Sequence, residues 1–143
     1  MASITSANAI IMLTIPDLFP APQQLQGFAA DDVYGVNDLK SAEVLMGVDG
    51  KLSGGFVFVP IEWSISFQAD SPSLDIFDQW WTAMQIATDP FLAQGLLILP
   101  ALGTKWAMSN GFLTNYKPMP DAKKILQPRK HGITWESVSP AIT

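Results

Sequence analysis

A chain of 143 residues, 48% of them apolar, fits a single domain spanning 1–143 that buries roughly 70% of its unfolded surface. It has no cysteine, which excludes disulfides, thiolate metal sites and cysteine nucleophiles and fits synthesis in a cytoplasm. The net charge of −5 is unevenly spread: residues 1–100 hold two cations and eleven carboxylates, net −9, and residues 101–143 hold six cations and two carboxylates, net +4.

Taken in order, Ala7 to Ile15 is rich in β-branched and long apolar residues and predicts a buried first strand that Pro16 stops. The amino terminus before it lacks the cationic start of a signal peptide. Pro16 to Ala30 predicts a long loop with Pro16, Pro20, Pro22 and three glutamines. Leu18, Phe19, Leu25 and Phe28 are interspersed in it and make it an arm expected to pack on a neighbouring molecule. Val33–Val36 and Glu43–Val48 read as short strands. Lys51–Pro60 follows across an Asp49-Gly50 hairpin turn, with Gly54-Gly55 expected to form a bulge. In Ile61–Ala69 the pattern alternates: Ile61, Trp63, Ile65, Phe67 and Ala69 line one face, Glu62, Ser64, Ser66 and Gln68 the other.

The period then changes. Ser71 as cap, Pro72 at the first turn and the acids Asp75 and Asp78 predict a helix that ends near Asp89-Pro90. Leu74, Phe77, Trp81 and Met84 recur at helical spacing, which assigns Trp81 to the core and Trp80 to its edge or an interface. Strands are predicted near Gly95–Leu99, Lys105–Ser109, Phe112–Lys117 and Ile133–Val138, the middle two joined by an Asn110-Gly111 turn. The nearest approach to a membrane span, Gly95–Gly103, falls far short of the ~20 apolar residues required and contains Pro100. The pattern is mainly β with one helix.

Chemistry is sparse. His131 is the lone histidine; Glu136 is a loose partner for it, and a surface histidine is the plainer reading than a catalyst. Ser53 lacks the Gly-x-Ser-x-Gly elbow, and Gly50-Lys51 lacks both the hydroxyl residue and the upstream glycine of a phosphate loop. The adjacent acids Asp31-Asp32 point to opposite faces of an extended segment and read as solvated turn residues. With no second histidine, no cysteine and no calcium loop, neither a metal nor a cofactor is expected. Lys123, Lys124, Arg129 and Lys130 form a basic run without interleaved aromatics, which favours a solvated or inter-subunit patch over nucleic-acid binding. The chain is expected not to be an enzyme.

The run Ala69-Asp-Ser-Pro-Ser, a helix, Gly95-Leu-Leu-Ile-Leu-Pro, Gly111-Phe-Leu-Thr-Asn-Tyr, Met119-Pro-Asp-Ala-Lys-Lys-Ile-Leu-Gln-Pro-Arg-Lys and Ile133-Thr-Trp-Glu resembles the tail-tube-fold proteins of long-tailed, contractile bacteriophages. That family includes the tube subunit and the proteins that continue the tube into the baseplate. The resemblance implies a β-sandwich or half-barrel flanked by a helix, whose copies join into a ring, expected to be hexameric, and stack. It implies as partners other tail proteins (tube, sheath and baseplate components) and DNA passing without specific binding, in a virion and not in a membrane. The baseplate end of the tube is the expected place, contributing to the conduit for DNA ejection, with the main tube subunit as the alternative. On this footing the assembly residues are Leu18, Phe19, Leu25, Phe28, Lys123, Lys124, Arg129 and Lys130, and Glu62, Ser64, Ser66 and Gln68 line the lumen. Beyond Glu62 the lumen strand has no acidic stripe. A monomeric β-barrel that binds a small apolar ligand is the competing class, drawn from the supply of aromatic residues.

Overall fold

The computed structural model describes residues 9–29, 33–40 and 42–142. Ala30, the Asp31-Asp32 pair and the first two residues of the predicted opening strand, Ala7 and Asn8, lie outside them. The described elements are β1 (Ile10–Ile15), β2 (Phe19–Gln24), β3 (Tyr34–Val36), β4 (Ala42–Met46), β5 (Leu52–Phe56), β6 (Ile61–Phe67), α1 (Leu74–Ala87), β7 (Ala93–Leu99), β8 (Thr104–Asn115) and β9 (Arg129–Ile142). Seven strands make one antiparallel sheet in the order β2-β1-β7-β8-β9-β6-β3, and β4 and β5 pair only with each other. Over the described residues the chain is mainly β with one helix, and its sheets do not close into a barrel.

Alternation builds the core. Ile61, Trp63, Ile65 and Phe67 of β6 are buried, as are Ile133 and Trp135 of β9, Leu113 of β8 and Ile11, Leu13 and Ile15 of β1. Each such side chain contributes about 1.5–3 kcal/mol when fully buried. Leu74, Phe77 and Trp80 of α1 close over that face at three-residue spacing. Trp80 is fully buried and its indole N–H donates to the Phe91 carbonyl at 3.1 Å, whereas Trp81 is 38% exposed and stacks on Tyr116. This reverses the expected roles of the two tryptophans. The inward face of the helix is set one residue earlier, because the carbonyl that satisfies an indole lies on Trp80's side. Ser71 does not cap the helix: its hydroxyl donates to the Gln26 carbonyl, and Ser73 stands at the cap position without a side-chain capping bond, its hydroxyl accepting from Gln26 N–H at 2.7 Å instead. Thr88, in the left-handed region at φ 52°, ends the helix just before Asp89-Pro90.

Three other expectations are corrected. Asn110-Gly111 is not a turn, because β8 runs unbroken through it, paired on both sides. Asn110 instead adopts φ 52° where the register against β7 shifts, a bulge in mid-strand. Gln94 and Glu136 hold the bulge: the Gln94 amide donates to Asn110 Oδ1 at 2.9 Å, and the Asn110 amide donates to the Glu136 carboxylate. Gly54-Gly55 forms no bulge, since β4 and β5 stay in register from Ala42↔Phe56 to Met46↔Leu52. Their turn does hold Gly50 at φ 81°, closed by a bond from Gly47 N–H to the Lys51 carbonyl.

The expected arm is the third. Phe19–Gln24 forms β2 on the edge of the sheet, Leu25 is 2% exposed within the core, and Phe28 stacks on Phe67 at 5.6 Å. Leu18 and Phe19 pack partly buried against the same core. Proline kept this segment from reading as a strand, yet an edge strand tolerates proline because one side of its backbone needs no partner.

Candidate functional site

The surfaces that the fold leaves uncovered are the first candidates for function. The most prominent is the β4–β5 hairpin. Val44, Leu45, Met46, Val48, Leu52, Phe56 and Phe58 are all exposed, Leu45 at 76% and Phe58 at 92%. Phe56 and Phe58 meet edge to face at 4.8 Å, and neither strand pairs with the main sheet. Monomeric proteins seldom expose contiguous apolar surface of this kind. The available signal was the run Val44-Leu45-Met46, which puts apolar side chains on both faces of a strand instead of one.

The second surface is the sheet face away from the helix. Glu62 is exposed and Ser64 half-buried there, beside Thr114 and Thr134, whose hydroxyls bond at 3.1 Å. The residues of this face line an open hollow of about 660 Å³ that includes Gly35, Asn37 and Gly132. Ser66 belongs to the same alternation but is 5% exposed, its backbone bonded to Ala29 and Val33, so this member of the expected lumen set is covered. Gln68 lies past the end of β6, exposed, with its N–H on the Gly27 carbonyl. Lys130 pairs across the ladder with Ser66, which places it on the polar face and not on a separate basic patch.

The basic run is thereby divided. Lys123 and Lys124 are exposed on the segment between β8 and β9, tied by the Ala122↔Leu126 bridge and by Gln127 N–H on the Asp121 carbonyl. Arg129 points the other way, 5% exposed. Its guanidinium donates to Asp78 Oδ1 at 2.8 Å and to the Lys117 carbonyl at 2.7 Å, and Tyr116 donates its hydroxyl to the same Asp78 oxygen. Arg129 therefore cannot serve as an assembly residue, since it ties α1 to β9 inside the subunit.

His131 completes this cluster. Far from being on the surface, it is 1% exposed, stacked on Phe77 at 4.7 Å and on Tyr116 at 5.3 Å. Lys117 N–H donates to its Nδ1 at 3.3 Å, so the neutral ring carries its proton on Nε2. Burial, reinforced by the Arg129 charge, pushes the imidazole down to about 4, with Asp78 opposing. Burial alone would raise the Asp78 carboxyl, but the bonds from Arg129 and Tyr116 and the Arg129 charge hold it below its usual value. Glu136, the loose partner considered for His131, is exposed and engaged with Asn110. An acid, a phenol, a guanidinium and an imidazole come together here, but the imidazole is enclosed between rings. The arrangement fastens helix to sheet.

Among the described residues no group of three or more His, Asp or Glu is arranged to hold a metal, and no helix is long and apolar enough to cross a membrane.

This architecture recurs in solved structures. The chain is similar to the tube-terminating cap of the anti-feeding prophage, with a TM-score of 0.69 at 13% identity over 100% of this chain and 93% of that one. It is similar to the sheath/tube terminator of the extracellular contractile injection system PVC in its extended state, with a TM-score of 0.69 at 12% identity over 99% and 98%. A chain of the anti-feeding prophage baseplate follows, with a TM-score of 0.66 at 8% identity over 99% and 97%. No curated protein matches the sequence. At these identities the likeness establishes the fold, which is the tail-tube-like fold of contractile systems. The sequence itself matches over residues 2–139, and the chain belongs to the family described as tail fiber protein gp32.

Proposed function

We propose that this protein is a structural subunit of a bacteriophage tail that assembles with copies of itself into a ring at the baseplate end of the tail tube, contributing to the conduit for DNA ejection. Family membership and the shared fold support the structural role. The observation that carries the assembly is the β4–β5 hairpin, whose large apolar side chains have no cover from their own domain. Such a surface gains by burial at roughly 25 cal/mol per Å² and is stable in water only if a partner covers it. Sheath, tube and other baseplate components are the further partners of this reading, the virion its location, and six copies its ring. The polar sheet face with Glu62 and Ser64 faces the lumen. There Glu62 and Lys130 line the same hollow, so a passing duplex meets no concentrated positive charge.

The test is assembly of the purified full chain, read by light scattering and negative-stain imaging. Rings or short stacks are expected. Long tubes would favour the main tube subunit, and a monomer at every concentration would overturn the proposal. A triple variant with Leu45, Met46 and Phe56 each changed to Ser should stay folded and fail to assemble, since these side chains support no part of their own core.

A further inference from the structure

The ladder between β8 and β9 stops short of the start of β9. β8 ends at Asn115, opposite Gly132, so Arg129, Lys130 and His131 pair only with β6 on their other side. Tyr116 and Lys117, which follow β8, are held to that edge by side chains instead of backbone. His131 Nδ1 accepts from Lys117 N–H at 3.3 Å, and the Arg129 guanidinium donates to the Lys117 carbonyl through Nε at 3.1 Å and Nη2 at 2.7 Å. Rings interleave beside this clamp. Phe77 and Trp81, four residues apart on α1, enclose His131 and Tyr116 in one stack. Centroids are 4.7, 5.3 and 4.9 Å apart in the order Phe77, His131, Tyr116, Trp81.

Among the described residues little else fastens the chain that follows. Met119, Ile125 and Leu126 are exposed, and the Ala122↔Leu126 bridge and the bond from Gln127 N–H to the Asp121 carbonyl close the segment on itself. Lys117 pairs with Asp121 in the same way. Ile125, Leu126 and Gln127 share an open hollow of about 900 Å³ with Ser66, Gln68 and Asp70, so the segment overhangs the sheet without packing down on it.

A proton on His131 reverses the sense of the clamp. The neutral ring accepts at Nδ1 and carries its hydrogen on Nε2, which is buried and finds no acceptor among the described residues. The imidazolium has hydrogens on both nitrogens. Its Nδ1–H faces Lys117 N–H, donor against donor, and neither is satisfied. Arg129 on β9 adds repulsion, while the attracting Asp78 of α1 is already engaged by Arg129 and Tyr116. β6 brings only the apolar Ile65 and Phe67 to the ring, and the Lys117 ammonium is turned to Asp121. Of the two rings that enclose the imidazole, Phe77 is fully buried in the core, whereas Tyr116 is half-buried under a Trp81 that is 38% exposed. Tyr116 is the one that can move.

We infer that His131 is an acid-sensitive latch: its protonation frees Tyr116-Lys117 from the edge of β9 and lifts the segment 117–128, with Lys123 and Lys124, while α1 and the seven-stranded sheet stay in place. Once Tyr116 has moved, the imidazole meets water and returns to its ordinary value near 6.5, against about 4 when enclosed. The open form therefore takes the proton first as pH falls. Its ratio to the closed form rises about 100-fold from pH 7 to pH 4, toward a limit of about 300-fold.

Hydrogen exchange of the full chain tests this, read by mass spectrometry with fragmentation that resolves the Lys117 amide and corrected for the intrinsic pH dependence of amide exchange. Lys117 should lose about 100-fold protection between pH 7 and pH 4. At each pH it should exchange ahead of the β7 amides and be indifferent to low urea, because the opening exposes little surface. Exchange that tracks β7 in both pH and urea means unfolding of the whole domain and overturns the inference, as does protection that is flat with pH. His131→Phe keeps a ring between Phe77 and Tyr116 and cannot titrate, so the pH dependence should vanish; a dependence that survives belongs to a carboxylate and also overturns it. If that variant does not fold, the unmodified chain decides. His131 is the only histidine, and exchange of its ring Cε1 hydrogen reports its titration directly. The Lys117 profile should level off at the pH where His131 itself titrates, and a plateau elsewhere refutes the latch.

Discussion

Truncating the two adjacent tryptophans of α1 separates the two possible settings of the helix on the sheet. Trp80 is fully buried beside Phe77, at 6.1 Å between ring centroids, and its N–H satisfies the Phe91 carbonyl. Trp80→Ala removes a large buried aromatic, which costs about 3–5 kcal/mol, and it orphans that carbonyl for about 1 kcal/mol more. Against a total of about 5–15 kcal/mol for a domain, this variant should be close to unfolded, with its urea midpoint lowered by 2 M or more at a slope of roughly 2 kcal/mol/M. Trp81→Ala loses a stack on Tyr116 and part of one exposed side chain, about 1–2 kcal/mol. Trp80→Phe keeps most of the bulk and loses only the donor, so it should fall between the two. Urea unfolding followed by far-ultraviolet circular dichroism is the assay, since deleting a tryptophan confounds fluorescence. Equal losses, or a larger loss for Trp81→Ala, would mean that the helix is rotated by about 100° from this setting and would refute the packing described.

His131 makes stability depend on pH in a defined window. Its folded value of about 4 lies below an unfolded value near 6.5, so the unfolded chain binds the proton first as pH falls. Stability should be complete above pH ~6.5, decline by roughly 3 kcal/mol between there and pH ~4, and His131→Phe should flatten that slope in urea titrations. Asp78 acts lower: its depressed carboxyl stabilises above its unfolded value, and that contribution disappears as pH falls through the folded value. Leu25→Ala should cost about 2–5 kcal/mol by thermal or urea melts without a specific loss of assembly; an assembly defect at unchanged stability would restore the arm. Gly111→Ala would drive a methyl group into the Trp135 ring and the Ile133 side chain, and about 1–3 kcal/mol of destabilisation is expected, with an unchanged melt refuting that close approach. Lys130→Glu should leave duplex binding negligible at physiological salt, while Glu62→Lys in assembled rings should create salt-sensitive binding measurable by fluorescence anisotropy.

What could be read from the chain was whatever depended on a residue's immediate neighbours. The alternation in Ile61–Phe67 located β6 and its inward face, and the change to helical spacing after Ser71 located the helix. Where two faces were close to equivalent locally, distant partners decided. Trp80 and Trp81 differ by one position on the helix, and the Phe91 carbonyl selects between them. Asn110-Gly111 carries the local chemistry of a turn. Flanking strands on both sides hold it extended, and its tolerance of positive φ is used for a bulge instead. The inward position of His131 was within reach: Trp135 and Ile133 point to the core, and the same period carried back along β9 reaches His131 and then Arg129. What no pattern contained was Asp78, 51 positions from Arg129, as the partner that allows a guanidinium inside.

The charge asymmetry illustrates why composition alone misplaces a surface. A run of four cations within eight residues reads as one patch, yet strand alternation sends Arg129 and Lys130 to opposite faces of one sheet. Arg129 is neutralised inside by Asp78, so the exposed cations nearby reduce to Lys123 and Lys124 on their connecting segment and Lys130 on the polar face. Pairs of exposed charges contribute little each and are screened within about 10 Å at ordinary ionic strength. Uncovered apolar side chains of the hairpin are not screened, and their drive to be buried persists at any salt concentration. In the proposed ring, charge orients copies as they approach, whereas the hairpin supplies the free energy that keeps them together. Assembly that survives raised salt but fails on removal of Leu45, Met46 and Phe56 is the behaviour this division of labour requires.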